Sequence, residues 1–213
     1  MEARAKGGLA SLLLALAMIA AFLSVTSSAS AATVFCKEFV ETCPKESVYP
    51  ISTNYSASVE AGKVTLITSQ FSKKQCTGSA FEWTTTETTE EGTLVGSVGK
   101  VTFSGCSGGC TVEARNLPWK VEFRRETEFN AMEVSNSGAG PPGLRILCGG
   151  VKCTYAAESS SSWTVHQVSE EEAAHVWGQP FLALIEGFAC ENAIQWDVDY
   201  LLNSPEPAYL TLG

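Results

Sequence analysis

The sequence predicts an all-β protein: a single-domain antiparallel β-sandwich or flattened barrel with disulfides and one short helical segment. Short runs of alternating apolar and polar residues recur along the chain, as is typical of half-buried strands. Turns rich in glycine or proline separate these runs at close spacing, which favours a sandwich or barrel. The 213-residue chain also carries eight cysteines. We therefore expect roughly ten to twelve short strands, supported by cross-links.

The start of the chain has the pattern of a secretory signal peptide, predicted to span 1–31. Arg4 and Lys6 precede the apolar run Leu9–Val25, and Ala29-Ser30-Ala31 fits a small-residue cleavage motif. A transmembrane anchor is the competing interpretation, because about 17 apolar residues are near the lower limit for spanning a bilayer. The charged start and the small residues at the exit favour cleavage. We expect a secreted or extracytoplasmic protein with no stable membrane span after cleavage.

The mature chain is predicted to begin at Ala32 or Thr33. We divide it into an N-terminal extension, 32–62, in which a local disulfide is predicted, and a β-sandwich-like domain, 63–213. About 180 residues can form one good core, so the disulfides supplement packing and do not replace it.

Acidic residues outnumber basic ones in the mature chain. The whole sequence has 14 basic and 23 acidic residues, and loss of Glu2, Arg4 and Lys6 with the leader leaves 12 and 22, a net charge of −10. A chain of this charge offers no basic patch to collect phosphates, which argues against nucleic acid as a partner.

A disulfide framework is expected from the cysteines, which are Cys36, Cys43, Cys76, Cys106, Cys110, Cys148, Cys153 and Cys190. An even number in an exported chain favours disulfides over zinc, because no CxxC pair occurs and only two histidines are present. Pairing across local turns predicts the bridges Cys36–Cys43, Cys106–Cys110 and Cys148–Cys153, and leaves Cys76–Cys190 as a long-range bridge. The rival scheme joins Cys76 to Cys106 and sends Cys110 to Cys190 or elsewhere.

The clearest strand signals lie in Val101–Phe123. A Gly-rich turn and a second corner at Asn116–Pro118 divide this stretch into three predicted antiparallel strands. Trp119, Val121 and Phe123 share one face, and the charged residues between them take the other. We therefore expect Trp119 to be buried against the opposite sheet.

The other predicted elements follow from the same patterns. Ahead of this stretch, strands are predicted at Lys63–Gln70, around Phe81 and Trp83, and at Leu94–Phe103. After it they are predicted at Phe129–Val134, Leu144–Leu147, Val151–Ala157, from Trp163, at Phe181–Phe188, Cys190–Tyr200 and Ala208–Leu212. Ser169 followed by Glu170–His175, with Gly178 and Pro180 behind, predicts one or two helical turns. Ser52–Gly62 is small and polar, and its Asn54-Tyr55-Ser56 matches a glycosylation acceptor.

Two sets of side chains have types that could support chemistry. His175 with Glu171 or Glu172 has helical spacing for a metal ligand or a base, but glutamates in a first turn usually serve the helix dipole and cap. Asp197 and Asp199 share one strand face and could bind calcium or act as paired carboxylates. The polar face of a strand normally carries such charges, so the structural interpretation is favoured in both cases. We assign no catalytic, cofactor-binding or metal-binding residue.

The tryptophans and serines allow the same two interpretations, structural or functional. Trp83, Trp119 and Trp196 occupy strand-face positions typical of a core. Trp177, next to Gly178, is the one tryptophan expected to be exposed, where it could contact a glycan or an apolar ligand. The chain lacks the G-x-S-x-G nucleophile motif. His166 alternates with a buried position and is given no role.

Several turn and cysteine motifs carry a resemblance. These motifs are Cys76-Thr77-Gly78-Ser79, Phe103-Ser104-Gly105-Cys106, Cys110-Thr111-Val112, Leu117-Pro118-Trp119 and Trp196-x-x-x-Tyr200. Together, over about Lys63–Leu212, they resemble a group of uncharacterised secreted, cysteine-paired β-rich proteins of actinobacteria. The resemblance implies a β-rich secreted fold and carries over no activity.

The interpretation we favour is an exported, disulfide-stabilised protein that binds an extracellular or envelope ligand or forms part of the cell envelope. One alternative is a secreted carboxylate-dependent hydrolase, acting for example on carbohydrate. Another is a protease inhibitor that presents the cystine-bound loop Ser107–Gly109. Neither a cofactor nor a nucleic-acid partner is expected.

Overall fold

The computed structural model describes residues 31–126, 130–166 and 174–213. This part of the chain forms one compact unit and is almost wholly β-structure. Its strands are β1 (Thr33–Cys36), β2 (Asn54–Val59), β3 (Thr65–Thr68), β4 (Lys73–Thr88), β5 (Leu94–Cys106), β6 (Thr111–Arg115), β7 (Trp119–Arg125), β8 (Asn130–Asn136), β9 (Gly143–Cys148), β10 (Val151–Ala156), β11 (Ser160–His166), β12 (His175–Gly178), β13 (Phe181–Gly187), β14 (Ala193–Ser204) and β15 (Tyr209–Leu212). Short 3-10 turns lie at Lys45–Ser47 and Ser107–Gly109.

Eight of these strands close into a ring. Their order is β12-β11-β8-β7-β5-β4-β2-β14, and β14 pairs back to β12. Every pairing in the ring is antiparallel. The predicted antiparallel all-β fold is therefore confirmed, in its barrel form.

The remaining strands of the main sheet build a second part, the outer lobe, which consists of β3, β6, β9, β10 and β13. The first half of β14 pairs with β13 and β3, whereas its second half pairs with β12 and β2. From β13 the sheet continues through β10 and β9 to β6, which packs against β5. β4, β5 and β14 are long because each serves both the ring and the outer lobe.

Alternation along the strands directs the large apolar side chains inward. Trp119, Val121 and Phe123 are at most 1% exposed, so the predicted burial of this face is confirmed. Trp119 Nε1 also donates to the Arg115 carbonyl oxygen at 2.7 Å. The core is rich in aromatic contacts; Tyr55 stacks on Trp83 with ring centroids 5.3 Å apart.

The segment 32–62, which the sequence analysis set apart as an extension, supplies strands to both sheets. β1 pairs with β15 in a separate two-stranded sheet. β2 lies between β4 and β14 in the closed ring. No strand was predicted at β2, since serines alternate with Tyr55 and Ala57 and give a weak apolar signal. Pairing on both edges compensates for this weak propensity.

The predicted helical turns at Ser169–His175 fall largely on residues 167–173, outside the described part of the chain. His175–Gly178, which was read as the end of that helix, instead forms β12 between β11 and β14. By contrast, the predicted hairpin around Gly149 and Gly150 is confirmed. Both glycines have positive φ, as a two-residue turn joining Cys148 to Val151 requires.

All eight cysteines form disulfides, but three of the four pairs predicted first are wrong. The bridges are Cys36–Cys43, as predicted, and Cys76–Cys106, Cys110–Cys148 and Cys153–Cys190. The bridges Cys106–Cys110, Cys148–Cys153 and Cys76–Cys190 are not formed. The rival scheme correctly joined Cys76 to Cys106; it sent Cys110 to Cys190 or elsewhere, and the partner is Cys148.

The reason is that neighbouring strands bring together cysteines that are distant in sequence. Cys76 lies directly opposite Cys106 in the β4–β5 register. Cys110 precedes β6 and Cys148 ends β9, its partner strand. These two bridges and Cys153–Cys190 tie successive strands at one end of the outer lobe, which we call the cross-linked end.

Candidate binding surface

The outward side of β14 carries the polar residues that the sequence analysis singled out. Trp196, Val198 and Tyr200 point inward and are at most 2% exposed. Because side chains alternate along a strand, Asp197 and Asp199 point outward, as predicted. The polar side chains on this strand are therefore displayed on the surface of a rigid sheet.

The structure brings together three residues that were considered separately. In the β12–β14 register Trp177 lies opposite Asp199. His175 Nδ1 donates to Asp199 Oδ1 at 3.0 Å. Trp177 is 38% exposed, which confirms the prediction that its indole reaches the surface. His175 thus pairs with Asp199, whereas Glu171 and Glu172, its predicted partners, lie outside the described residues.

β13 extends this surface beyond β12. Phe181 lies opposite Gln195 of β14 and is 67% exposed. Gln195 Nε2 donates to Gln179 Oε1 at 3.3 Å. We define the aromatic face as the outward side chains His175, Trp177, Gln179, Phe181, Gln195, Asp197 and Asp199.

An open groove of about 600 Å³ continues from the aromatic face. Phe181 and Gln195 form one side, and Phe71 stands on the β3–β4 turn at the other. Phe71 is 82% exposed. Further lining residues include Gln70, Glu191 and Asn192. Aromatic side chains thus alternate with amides and carboxylates along the whole surface.

Glu191 fixes the loops that border the groove. Ser69 Oγ donates to Glu191 Oε1 at 2.5 Å, and the Phe71 N–H donates to Oε2 at 3.1 Å. These hydrogen bonds, the one from Ser69 first, lower the pKa of Glu191. The Cys153–Cys190 disulfide anchors the neighbouring residue. A charged hydrogen bond and a cross-link therefore fix the loops that border the groove.

The Glu191 contact should make stability depend on pH. Because the folded-state pKa is depressed, its contribution is fully present above the unfolded pKa of about 4.3 and is lost as the pH falls through the folded value. We expect Glu191→Gln to lower the melting temperature at pH 7, and the difference from wild type to shrink below pH 4. Thermal unfolding followed by circular dichroism measures both. Glu60→Gln, in an exposed turn, is the control; a difference for Glu191→Gln that is unchanged at pH 3 would contradict the assignment.

Metal chemistry is not supported by the described residues. Among residues 31–126, 130–166 and 174–213, no three His, Cys, Asp or Glu side chains are grouped to hold an ion. Within these ranges Asp197 and Asp199 are therefore not joined by a third side chain of these types.

The loop Ser107–Gly109 does not have the form that the inhibitor alternative requires. Its two flanking cysteines bridge to Cys76 and Cys148 and not to each other, so no cystine closes the loop. It forms a single 3-10 turn, and Ser107 Oγ accepts a hydrogen bond from the Gln75 N–H at 3.1 Å. The prediction of a cystine-bound inhibitory loop is therefore wrong.

Within the described residues, no helix has the length and apolar character needed to cross a bilayer. All of the predicted leader except Ala31 falls on residues outside that part of the chain. Comparison of the sequence and structure with family models, curated proteins and solved structures gave no match. The resemblance to secreted actinobacterial proteins accordingly stays a prediction.

Proposed function

We propose that this protein is exported and binds carbohydrate through the aromatic face and its adjoining groove. The observation that carries the proposal is the exposure of Trp177 and Phe181 on one sheet surface, beside a row of amide and carboxylate side chains. The four disulfides of the β-rich fold fit an extracellular protein. The leader pattern of residues 1–31 adds to the case for export.

Carbohydrate suits this surface because a sugar ring has an apolar side and a polar rim. The C–H groups of one side stack on an aromatic ring, whose face carries partial negative charge. The hydroxyls around the rim both donate and accept hydrogen bonds. Asp197 and Asp199 can accept, while Gln179 and Gln195 can do both.

Hydrogen bonds between neighbouring side chains hold part of this surface in place. Asp199 is fixed by His175 and Gln195 by Gln179, so less conformational entropy is lost on binding than for free surface side chains. The strands β12, β13 and β14 supply a rigid base. A surface built in this way favours repeated, modest contacts along an extended polymer.

The test is affinity electrophoresis and calorimetry with soluble β-1,3-glucan, arabinoxylan and chitohexaose. We expect at least one of these to bind, and Trp177→Ala and Phe181→Ala each to weaken that binding at least tenfold. Phe39→Ala is the matched control, because Phe39 is 41% exposed outside the aromatic face. Its binding should equal that of wild type.

Two outcomes would overturn the proposal. One is that no sugar in the panel binds to the folded wild-type protein. The other is that Trp177→Ala and Phe181→Ala bind as tightly as Phe39→Ala. Release of reducing sugar from the bound polymer would instead favour the hydrolase alternative over simple binding.

A further inference from the structure

We infer that a second site, a pocket at the cross-linked end of the outer lobe, binds a short apolar chain that ends in a carboxylate. The pocket shares Ser69, Ala189, Cys190, Glu191 and Ile194 with the groove but no residue with the aromatic face, so the inference goes beyond the proposed function and does not depend on it. The pocket has a volume of about 250 Å³ and lies between β3, β4, β9, β10 and β14. Concave, mainly apolar pockets with a few polar groups are the usual form of small-ligand sites.

The walls of the pocket are apolar. Ile67, Ile146, Tyr155 and Ile194 line it, and each is at most 8% exposed. They come from four different strands, so the pocket is a property of the packed lobe and not of one loop. Such walls favour alkyl groups, because burying them removes apolar surface from water.

The rim of the pocket is rigid. Cys148, Cys153 and Cys190 all line it, and each is bonded to a neighbouring segment through the Cys110–Cys148 or Cys153–Cys190 bridge. A preformed rim reduces the loss of conformational entropy on binding. The pocket is therefore suited to hold a small ligand without rearrangement.

Lys74 supplies the positive charge at this mainly apolar pocket. In the β3–β4 register it lies directly opposite Ile67, on the face that points into the pocket. Among the described residues, Lys74 takes part in none of the ion pairs. Glu191 also lines the pocket, but its carboxylate oxygens accept hydrogen bonds from Ser69 and Phe71.

An ammonium that forms no ion pair with another described residue, set beside apolar walls, matches a ligand with an alkyl chain and an anionic end. The ammonium group can form a charge-assisted hydrogen bond with a carboxylate. At roughly 30 Å³ per heavy atom, which is the share of a water molecule in the liquid, the pocket holds about eight atoms. The eight carbons of octanoate fill this volume, with the two carboxylate oxygens at the Lys74 ammonium, and longer chains would extend into solvent.

Calorimetric titration with butanoate, hexanoate, octanoate and dodecanoate tests the inference. Up to eight carbons, each added methylene should tighten the dissociation constant about fourfold, as burial of one CH₂ predicts. Dodecanoate should bind no more than a few times more tightly than octanoate. A dissociation constant that keeps falling at the same rate up to dodecanoate would contradict the pocket as the site.

Two variants of adjacent lysines test the role of charge. Lys74→Met should weaken octanoate binding at least tenfold and leave the binding of octanol unchanged. Lys73→Met is the matched control, because Lys73 lies opposite Thr68 on the other face of the same strand and does not line the pocket. It should bind octanoate as wild type does.

A third variant tests the location. Ile194→Phe fills the pocket from a wall residue and should abolish octanoate binding while near-ultraviolet circular dichroism stays native. If this variant does not fold, the pair of lysine variants still decides the question. The inference is overturned if folded wild-type protein binds no octanoate at millimolar concentration, or if Lys74→Met binds it as tightly as Lys73→Met. Loss of sugar binding in Trp177→Ala would leave the octanoate result unchanged, so the two proposals can fail separately.

Discussion

Replacing Trp119 by alanine is expected to lower the free energy of unfolding by about 3–5 kcal/mol, the usual range for removing a large buried aromatic side chain. The indole is 1% exposed and sits among Leu144, Trp163 and Trp196. Truncation would leave a cavity there and would also remove the donor to the Arg115 carbonyl oxygen. Chemical denaturation followed by circular dichroism measures the change.

Trp177→Ala is the matched control for this prediction, because it is the same substitution at an exposed indole. We expect it to cost clearly less than Trp119→Ala, since surface changes are usually small. Equal losses of unfolding free energy in the two variants would show that packing of the inward face of β7 stabilises the protein less than we expect.

Removing the Cys110–Cys148 bridge should have an effect of similar size. The two cysteines are 38 positions apart, and closing a loop of that length stabilises by about 4 kcal/mol in the chain-entropy model. The double variant Cys110→Ala/Cys148→Ala should therefore unfold at markedly lower denaturant concentration. It should also loosen the end of the β6–β9 pair at the cross-linked end, where the backbone ladder would still join the two strands.

The Cys36–Cys43 bridge provides the comparison, because it spans only 7 positions. The same model assigns it about 2.5 kcal/mol, so its double alanine variant should be the less destabilised of the two. The reverse order would show that strain in the folded bridges or residual structure in the unfolded chain, and not loop length, determines how much each bridge stabilises the protein. Peptide mapping without reduction confirms the pairing before either variant is compared.

Much of the fold could be predicted because its strands alternate clearly. The burial of Trp119, Val121 and Phe123 follows from a period of two that local sequence displays. The hairpin at Gly149 and Gly150 follows from turn chemistry, which is also local. Both signals lie within a few residues, so no knowledge of neighbouring strands was needed.

Register between distant strands could not be predicted in this way. Cys76 meets Cys106 because β4 and β5 pair over a long ladder, and Cys110 meets Cys148 because β6 pairs with β9. Turn geometry alone favoured the nearest cysteine in sequence. The strand at Asn54–Val59 was missed for the same reason, since pairing with β4 and β14 supports it more than its own residues do.

In the candidate surface, too, single residues could be predicted from local sequence, whereas their assembly depends on strand pairing. Trp177, Asp197 and Asp199 were recognised singly from strand alternation. Their assembly with His175 depends on the pairing of β12 with β14. The sequence predicted a helix at His175, so this pairing was not expected. Phe181 was not recognised, because an apolar run predicts a buried strand and does not show which residue lies on the open side.

The single exposed indole has a spectroscopic consequence. The chain has five tryptophans, and four of them, Trp83, Trp119, Trp163 and Trp196, are at most 3% exposed. Iodide in solution should therefore quench only the red-edge emission, which comes from Trp177. A ligand that stacks on this ring would shield it and shift its spectrum, while the emission of the four core indoles stays constant. The protein thus carries its own fluorescent reporter at the surface where we propose that sugar binds.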